Sequence, residues 1–265
     1  MIKTVIILIL FFGVSFSQVV RFAPLPASYS EELTKAYLPL IKLLEKKTGL
    51  TFEFKHYKTY DELFDKFMKG ELDVITACTL SYYNLKKKYK HAKAIASFKR
   101  DPQGAAYSCV MFSAIDGPNK VENIRKPLAL PQKGSTCGYF SASIILSERG
   151  KSIEKQGYKL FLTHDDAVKA VLMGKHEAGV VSKKTFEKYK GFGLKLLAES
   201  PKWPSLPVVV NTKTLSPELI KKIEDALLSI TQEEQKELIE GKFGFAKVTE
   251  EDFKVVEKYK RHIPK

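Results

Sequence analysis

The chain has 265 residues, 44% of them hydrophobic, and a formal net charge of +14. A chain of this size can bury one large core or two small ones. The positive charge raises a nucleic-acid interpretation, but the lysines are spread over predicted helix faces and alternate with glutamates, as in residues 183–188. We therefore expect no nucleic-acid partner, and a solvated surface rich in Lys and Glu whose field attracts anions.

The first predicted element is a signal peptide. Residues 1–17 combine Lys3, an apolar run over Val5–Val14, and the small residues Ser15 and Ser17 at the expected cleavage point. This is the pattern of a secretory signal, and the apolar run is too short to span a bilayer comfortably. The sequence predicts cleavage here and a mature protein in the periplasm or another extracytoplasmic space, with an uncleaved anchor as the alternative.

Strand-like and helical runs then alternate, a pattern typical of α/β folds with mainly parallel sheets. Helices are predicted to begin at Ser30, at a capping box that starts with Thr59, and at Leu80. The predicted strands of this first unit are Val19–Ala23, Thr51–Tyr57, Leu72–Thr76 and Ala94–Phe98.

The same alternation continues in a second unit. Its predicted strands are Tyr107–Ala114, Pro127–Leu130, Lys159–Leu162, Glu177–Val181, Leu194–Ala198 and Val208–Asn211. Helices are predicted after residue 135, from Thr163 to Met173, over Lys183–Tyr189, and over most of the chain from Ser216 onward. Ligands bind such sheets outside the carboxyl ends of the strands, so two units of this kind predict a cleft between two lobes.

Residues 133–140 read Lys-Gly-Ser-Thr-Cys-Gly-Tyr-Phe and precede a segment of helical composition. This places Ser135, Thr136 and Cys137 at a predicted helix N-terminus, where unpaired backbone N–H groups and adjacent hydroxyls can bind an anion. The alternative is that Ser135 is only an N-cap.

The cysteines Cys78, Cys109 and Cys137 are an odd number, so at most one internal disulfide can form, and the sequence leaves the pairing open. Their spacing does not match a zinc site, and the histidines show no metal-binding motif. We therefore expect neither a metal nor a cofactor.

Six short segments occur in a fixed order along the chain. They are Pro-Leu-Pro (24–26), Leu-Glu-Lys-Lys-Thr-Gly (44–49), Lys-Gly-Glu-Leu-Asp-Val-Ile (69–75), Gly-Ser-Thr-Cys-Gly-Tyr (134–139), Ala-Val-Leu-Met-Gly-Lys-His-Glu-Ala-Gly-Val (170–180) and Glu-Ser-Pro-x-x-Pro-x-x-Pro (199–207). In this order they resemble the phosphate/phosphite/phosphonate-binding proteins of ABC importers, which are type II periplasmic binding proteins.

The resemblance implies a two-lobed α/β fold with helix-flanked, mainly parallel sheets and two hinge strands that cross between the lobes. The crossing strands would lie near Tyr107–Ala114 and Leu206–Asn211. The implied division is a first lobe of residues 18–107 plus 208–265 and a second lobe of residues 108–207.

The resemblance also implies a set of ligand-binding residues. The hydroxyl triplet that the family places at a helix start falls on Ser135, Thr136 and Cys137, with a thiol in place of the last hydroxyl. Two tyrosines and one histidine complete the set, on Tyr60, Tyr107 and His164. Taken without the resemblance, His164 would be a surface residue at a helix start.

Two positions depart from the family pattern. Members that bind aminoethylphosphonate carry a Glu and an Asp around the ammonium group, where this chain has Lys184 and Leu206. Neither residue can pair with an ammonium, so the expected ligand is an oxyanion without an amine. Phosphate, phosphite and a simple phosphonate all remain open, and Lys184 could equally be a solvated helix lysine.

The resulting prediction is a monomeric, non-catalytic solute-binding protein that closes over a small oxyanion and delivers it to a membrane permease of an ABC importer. One alternative is a sensor that serves a receptor kinase, with Cys137 or Cys78 as a soft ligand for an arsenic oxyanion. Another is an enzyme with Cys137 as nucleophile and His164 as its base.

Overall fold

Two separate sheets organise residues 18–264, the part of the chain that the computed structural model describes. The predicted signal peptide over residues 1–17 lies outside the described residues. The strands, in chain order, are β1 (Val19–Ala23), β2 (Thr51–Phe54), β3 (Val74–Thr76), β4 (Ala92–Phe98), β5 (Ala106–Tyr107), β6 (Cys109–Ala114), β7 (Leu128–Pro131), β8 (Tyr158–Phe161), β9 (Ala178–Ser182), β10 (Leu194–Glu199), β11 (Trp203–Pro204), β12 (Pro207–Asn211) and β13 (Phe245–Ala246).

Helices cover both faces of each sheet. They are α1 (Ser30–Thr48), α2 (Tyr60–Met68), α3 (Thr79–Lys88), α4 (Ser141–Ser147), α5 (Ile153–Gln156), α6 (His164–Leu172), α7 (Lys183–Tyr189), α8 (Pro217–Leu228), α9 (Gln232–Gln235) and α10 (Glu250–Phe253). Among residues 18–264 no helix has both the length and the apolar character needed to cross a membrane.

The first sheet has the strand order β13-β4-β12-β3-β1-β2. Its core lies on both faces, with α1 and α8 on one side and α2 and α3 on the other. The apolar positions of α1 recur at helical spacing, and they face the sheet as the periodicity predicts. Gly49 adopts φ 68°, a left-handed conformation that ends α1.

The second sheet has the order β10-β6-β9-β7-β8. Helices α4 and α5 pack on one face, and α6 and α7 pack on the other. The two-lobed α/β prediction is thus confirmed, because each sheet carries its own double-sided core.

Both sheets are mixed, so the expectation of mainly parallel sheets is wrong. In the first sheet β1 runs parallel to β2 and β3, but β12 runs antiparallel to β3 and β4. In the second sheet β7 runs parallel to β8 and β9, but β6 runs antiparallel to β9 and β10. The antiparallel strands β6 and β12 are those that follow a crossing between the lobes.

The crossing itself is a short ribbon in which β5 pairs antiparallel with β11. The predicted crossing strands, Tyr107–Ala114 and Leu206–Asn211, mostly belong to the sheets as β6 and β12. The connection between the lobes is therefore shorter than the sequence indicated, and Tyr107 and Trp203 form one of its paired positions.

The C-terminal segment also passes from one lobe to the other. The Phe253 ring is buried in the first lobe, with its centroid 4.6 Å from that of Tyr82. Val256, one turn later, is fully buried in the core of the second lobe. The Tyr259 ring packs edge-on against Trp203 at 5.3 Å.

Residues 254–262, within the range predicted for the first lobe, thus contact the second sheet's core. They form a run of 3-10 turns whose apolar side chains pack there, and His262 Nδ1 lies 2.8 Å from Ser143 Oγ of α4. The division into a lobe of residues 18–107 plus 208–265 and a lobe of residues 108–207 stays a prediction.

We expect Phe253→Ala to lower the free energy of unfolding by roughly 3–5 kcal/mol, because it empties a site filled by a fully buried ring. Urea denaturation measures this change. Lys254→Ala, at the exposed neighbouring position, is the control and should cost less than about 1 kcal/mol. Equal losses in the two variants would show that the segment is not anchored through Phe253.

Candidate functional site

The segment that follows β7, residues 134–140, forms an irregular turn that we call the binding turn. Gly134 has φ 90°, a conformation that favours glycine. A regular helix does not begin at Ser135 as predicted, because Cys137 and Gly138 leave helical φ/ψ values and the helix proper starts at Ser141. Ser135 occupies the N-cap position of this turn, but its side chain makes no capping hydrogen bond, and its hydroxyl lies 3.4 Å from His164 Nε2 instead.

Thr136 links the binding turn to the first lobe. Its side chain is buried, and its hydroxyl oxygen accepts a hydrogen bond from the backbone N–H of Leu80 at 3.0 Å. Leu80 lies in the first turn of α3, where backbone N–H groups have no partner within the helix. The start of a first-lobe helix therefore faces the binding turn across the cleft.

Two phenols approach the same turn from the first lobe and the crossing ribbon. Tyr60 opens α2 and its phenol interacts with the Ser135 hydroxyl, and Tyr107 of β5 interacts with the Thr136 hydroxyl and accepts a hydrogen bond from Thr79 Oγ1 at 3.3 Å. Burial raises the pKa of Tyr60 and of Tyr107 well above the usual value, so both phenols remain protonated hydrogen-bond donors.

His164 reaches the binding turn from the second lobe, at the start of α6. Its Nδ1 accepts a hydrogen bond from the backbone N–H of Ser182 at 3.2 Å, and its Nε2 lies 3.4 Å from Ser135 Oγ. Burial lowers the pKa of His164 to about 4, so the ring is neutral at pH 7. Because Nδ1 is an acceptor, the neutral ring carries its proton on Nε2, which makes it a donor toward the turn.

Cys137 does not have the free thiol that its predicted roles require. It forms a disulfide with Cys109, the first residue of β6, at a sequence separation of 28. The predictions of a Cys137 thiol donor, soft ligand or nucleophile are therefore wrong. The free cysteine is Cys78, which is buried, with its sulfur 3.6 Å from the Gly134 carbonyl oxygen across the cleft.

Five of the six predicted residues thus meet between the lobes: Ser135, Thr136, Tyr60, Tyr107 and His164. Each of them presents a neutral polar group, and their part in binding a ligand stays a prediction. Within residues 18–264 no cluster of three or more His, Cys, Asp or Glu side chains is suited to hold a metal ion.

Gln132 belongs to this region and was missed by the sequence analysis. Its side-chain oxygen accepts from the backbone N–H of Tyr60 at 2.8 Å, and its Nε2 donates to the carbonyl oxygens of Pro26 and Leu162 at 3.1 and 2.8 Å. The Gln132 amide therefore connects the start of α2, in the first lobe, to the second lobe through hydrogen bonds. Its position just after a buried strand was the available signal, since polar residues there line ligand sites.

The two positions that depart from the family pattern have separate environments. The Lys184 ammonium pairs with the carboxylate of Glu240, a first-lobe residue that also lies 3.6 Å from Arg100 Nη1. Leu206 packs against the first-lobe core, and its carbonyl accepts from the Phe98 N–H at 3.1 Å. Arg100 was not predicted from the sequence to belong to this region. Its positive charge opposes the rise that burial causes in the pKa of the Tyr107 phenol.

Comparison with known proteins identifies the family. Residues 22–253 match the model of the ABC transporter phosphonate periplasmic substrate-binding proteins. The chain belongs to this family. A curated relative, the phosphate-import protein PhnD of Mycolicibacterium smegmatis, is 25% identical over 179 residues, which is 62% of this chain and 55% of that protein. The match thus spans little more than half the length of that relative.

Solved structures share the fold. PhnD1 of Prochlorococcus marinus in complex with methylphosphonate has a TM-score of 0.80 at 17% identity, over 92% of this chain and 97% of that one. A binding protein component of an ABC phosphonate transporter from Pseudomonas aeruginosa has a TM-score of 0.82 at 15% identity, over 92% of this chain and 86% of that one. The fold and the family are those of transport binding proteins.

We expect removal of the disulfide to lower the free energy of unfolding by roughly 2–4 kcal/mol. The bond joins residues 28 positions apart in the chain and so restricts the unfolded state. The variant is the double change Cys109→Ala and Cys137→Ala, measured by urea denaturation. A reducing agent should bring the wild-type protein close to the variant and leave the variant unchanged. If the reducing agent lowered the stability of both proteins equally, the result would contradict a Cys109–Cys137 disulfide.

Stability should fall as the pH drops from about 6.5 toward 4. The unfolded His164 binds a proton near pH 6.5, whereas the folded ring has a pKa of about 4. Between pH 6.5 and pH 4 the unfolded state therefore binds one more proton than the folded state. This lowers the free energy of unfolding by on the order of 3 kcal/mol at pH 4. Urea denaturation of His164→Gln should show a smaller pH dependence, and His176→Gln should keep that of the wild type. Identical profiles in all three proteins would contradict a buried neutral His164.

Proposed function

We propose that this protein is a non-catalytic, extracytoplasmic solute-binding protein that captures a small phosphorus oxyanion between its lobes and presents it to the membrane permease of an ABC importer. The observation that carries the proposal is the convergence of neutral hydrogen-bond donors on the binding turn. The family match supports this class over the sensor and the enzyme alternatives, and the Cys109–Cys137 disulfide removes the proposed nucleophile.

Neutral donors suit a small tetrahedral oxyanion. Hydroxyls, a phenol and an imidazole N–H donate without carrying charge, and the first-turn N–H groups of α3 add the positive end of a helix dipole. Hydrogen bonds to an ionised acceptor contribute more than bonds between neutral groups. An oxyanion would replace the contacts that Ser135, Tyr60 and Thr136 now make with one another and with Leu80.

The proposed ligand is phosphate, phosphite or a simple phosphonate without an amine. Lys184 is paired with Glu240, and Leu206 is apolar, so neither supplies a free carboxylate for an ammonium group. Burying an unpaired ammonium costs several kcal/mol. Binding would couple to closure, since donors from both lobes reach the ligand only when the lobes meet.

Isothermal titration with methylphosphonate, phosphate, phosphite, aminoethylphosphonate and sulfate tests the proposal. We expect one-to-one binding of at least one phosphorus oxyanion, with aminoethylphosphonate at least about tenfold weaker than methylphosphonate. Tyr60→Phe should weaken binding by roughly tenfold or more, because it removes one hydrogen bond to a charged ligand. Tyr158→Phe, an exposed tyrosine of β8, is the matched control.

A folded wild-type protein that binds none of these anions would overturn the oxyanion assignment. Equal affinities in the Tyr60→Phe variant and its control, with wild-type binding intact, would instead place the ligand elsewhere in the cleft.

A further inference from the structure

Ion pairs between the lobes converge on one helix, α7 of the second lobe. Lys184 and Lys188 are four residues apart, so they lie on the same face of the helix. The Lys184 ammonium pairs with Glu240, and the Lys188 ammonium lies 3.1 Å from both carboxylate oxygens of Glu32. Both acidic partners belong to the first lobe, so each pair exists only while the lobes are in contact.

Two of these four groups, Lys188 and Glu240, also have a charged partner in their own lobe. Lys188 donates to Asp165 at 2.7 Å, and this second-lobe carboxylate is only 1% exposed, so the ammonium has a fixed anchor in its own lobe. Ser28 of the first lobe donates to the other oxygen of Asp165 at 3.0 Å. Glu240 is 13% exposed and is oriented by Arg100 of its own lobe.

A second contact lies beside Lys188. The Tyr29 hydroxyl, just before α1, donates to Asp166 at 2.5 Å and accepts from Lys169 at 3.1 Å. Asp166 lies at the start of α6, and Lys169 lies in its middle. The contacts around α1, α6 and α7 therefore form one continuous patch, and the hydrogen bonds just described involve no residue of the binding turn.

We infer that Lys184 and Lys188, with Glu240 and Glu32, form an electrostatic latch that holds the lobes together and sets ligand affinity without touching the ligand. The inference rests on the proposed function, since affinity is the property that the latch tunes. If only the closed form binds tightly, the apparent Kd is the intrinsic Kd divided by the closed fraction. Groups remote from the ligand then change the affinity by changing that fraction.

The test is a double variant, Glu32→Gln with Lys184→Met. It removes one partner from each cross-lobe pair, leaves Lys188 paired with Asp165 and Glu240 with Arg100, and keeps the net charge unchanged. The matched control is Glu31→Gln with Lys190→Met. This control changes the adjacent acid of α1 and a lysine whose pair, with Glu187 at 3.8 Å, lies within the second lobe.

We expect the latch variant to bind methylphosphonate, or the tightest anion of the panel, roughly three- to tenfold more weakly than the wild type. The control should bind as the wild type does. In about 1 M salt, where the Debye length is about 3 Å, the difference between variant and wild type should shrink. A role limited to folding would lower the melting temperature and would not produce this salt dependence.

Small-angle scattering of the ligand-free proteins tests the latch independently of any ligand. The latch variant should have a larger radius of gyration than the control. If the wild type binds no anion, the proposed function fails, and scattering alone still decides the latch. If the latch variant had the same radius of gyration and the same anion affinity as the control, the proposed latch would be overturned.

Discussion

The hydrogen bond from the Leu80 N–H to Thr136 Oγ1 joins the two parts on which the site depends. One part is the buried start of α3 in the first lobe, and the other is the irregular binding turn of the second lobe. Both groups are buried, so the two lobes meet at this contact without access of water. The neighbouring contacts follow from it, since Tyr60, Tyr107 and His164 approach the same few oxygen atoms.

Exclusion of water also determines the charge of the site. Burial lowers the pKa of His164 to about 4 and raises the pKa of Tyr60 and Tyr107, so the imidazole and both phenols are neutral donors. Arg100 is a positive charge near the Tyr107 phenol, and further positive charges lie on Lys184 and Lys188 of α7, at the edge of the contact between the lobes. Under the proposed function this arrangement would separate two tasks, with neutral donors for directional contacts to a small anion and outer charges for closure and the long-range field.

One covalent bond and two packing contacts fix how the binding turn and the lobes are connected. The Cys109–Cys137 disulfide ties the binding turn to β6, so the turn moves with its own sheet. The β5–β11 ribbon gives the lobes a short crossing. The C-terminal segment places Phe253 in one core and Val256 in the other, which makes it a third connection across the hinge.

Local patterns in the sequence predicted most of the elements, including α7 with the bounds Lys183–Tyr189 that the structure has. The residues that meet between the lobes were predicted mainly through the resemblance to the family. Three features depended on tertiary structure: the pairing of Cys109 with Cys137, the passage of the C-terminal segment to the second lobe, and the ion pairs of Lys184 and Lys188. Each joins residues far apart in the chain, so its geometry exists only after the sheets have packed, and no local propensity encodes it.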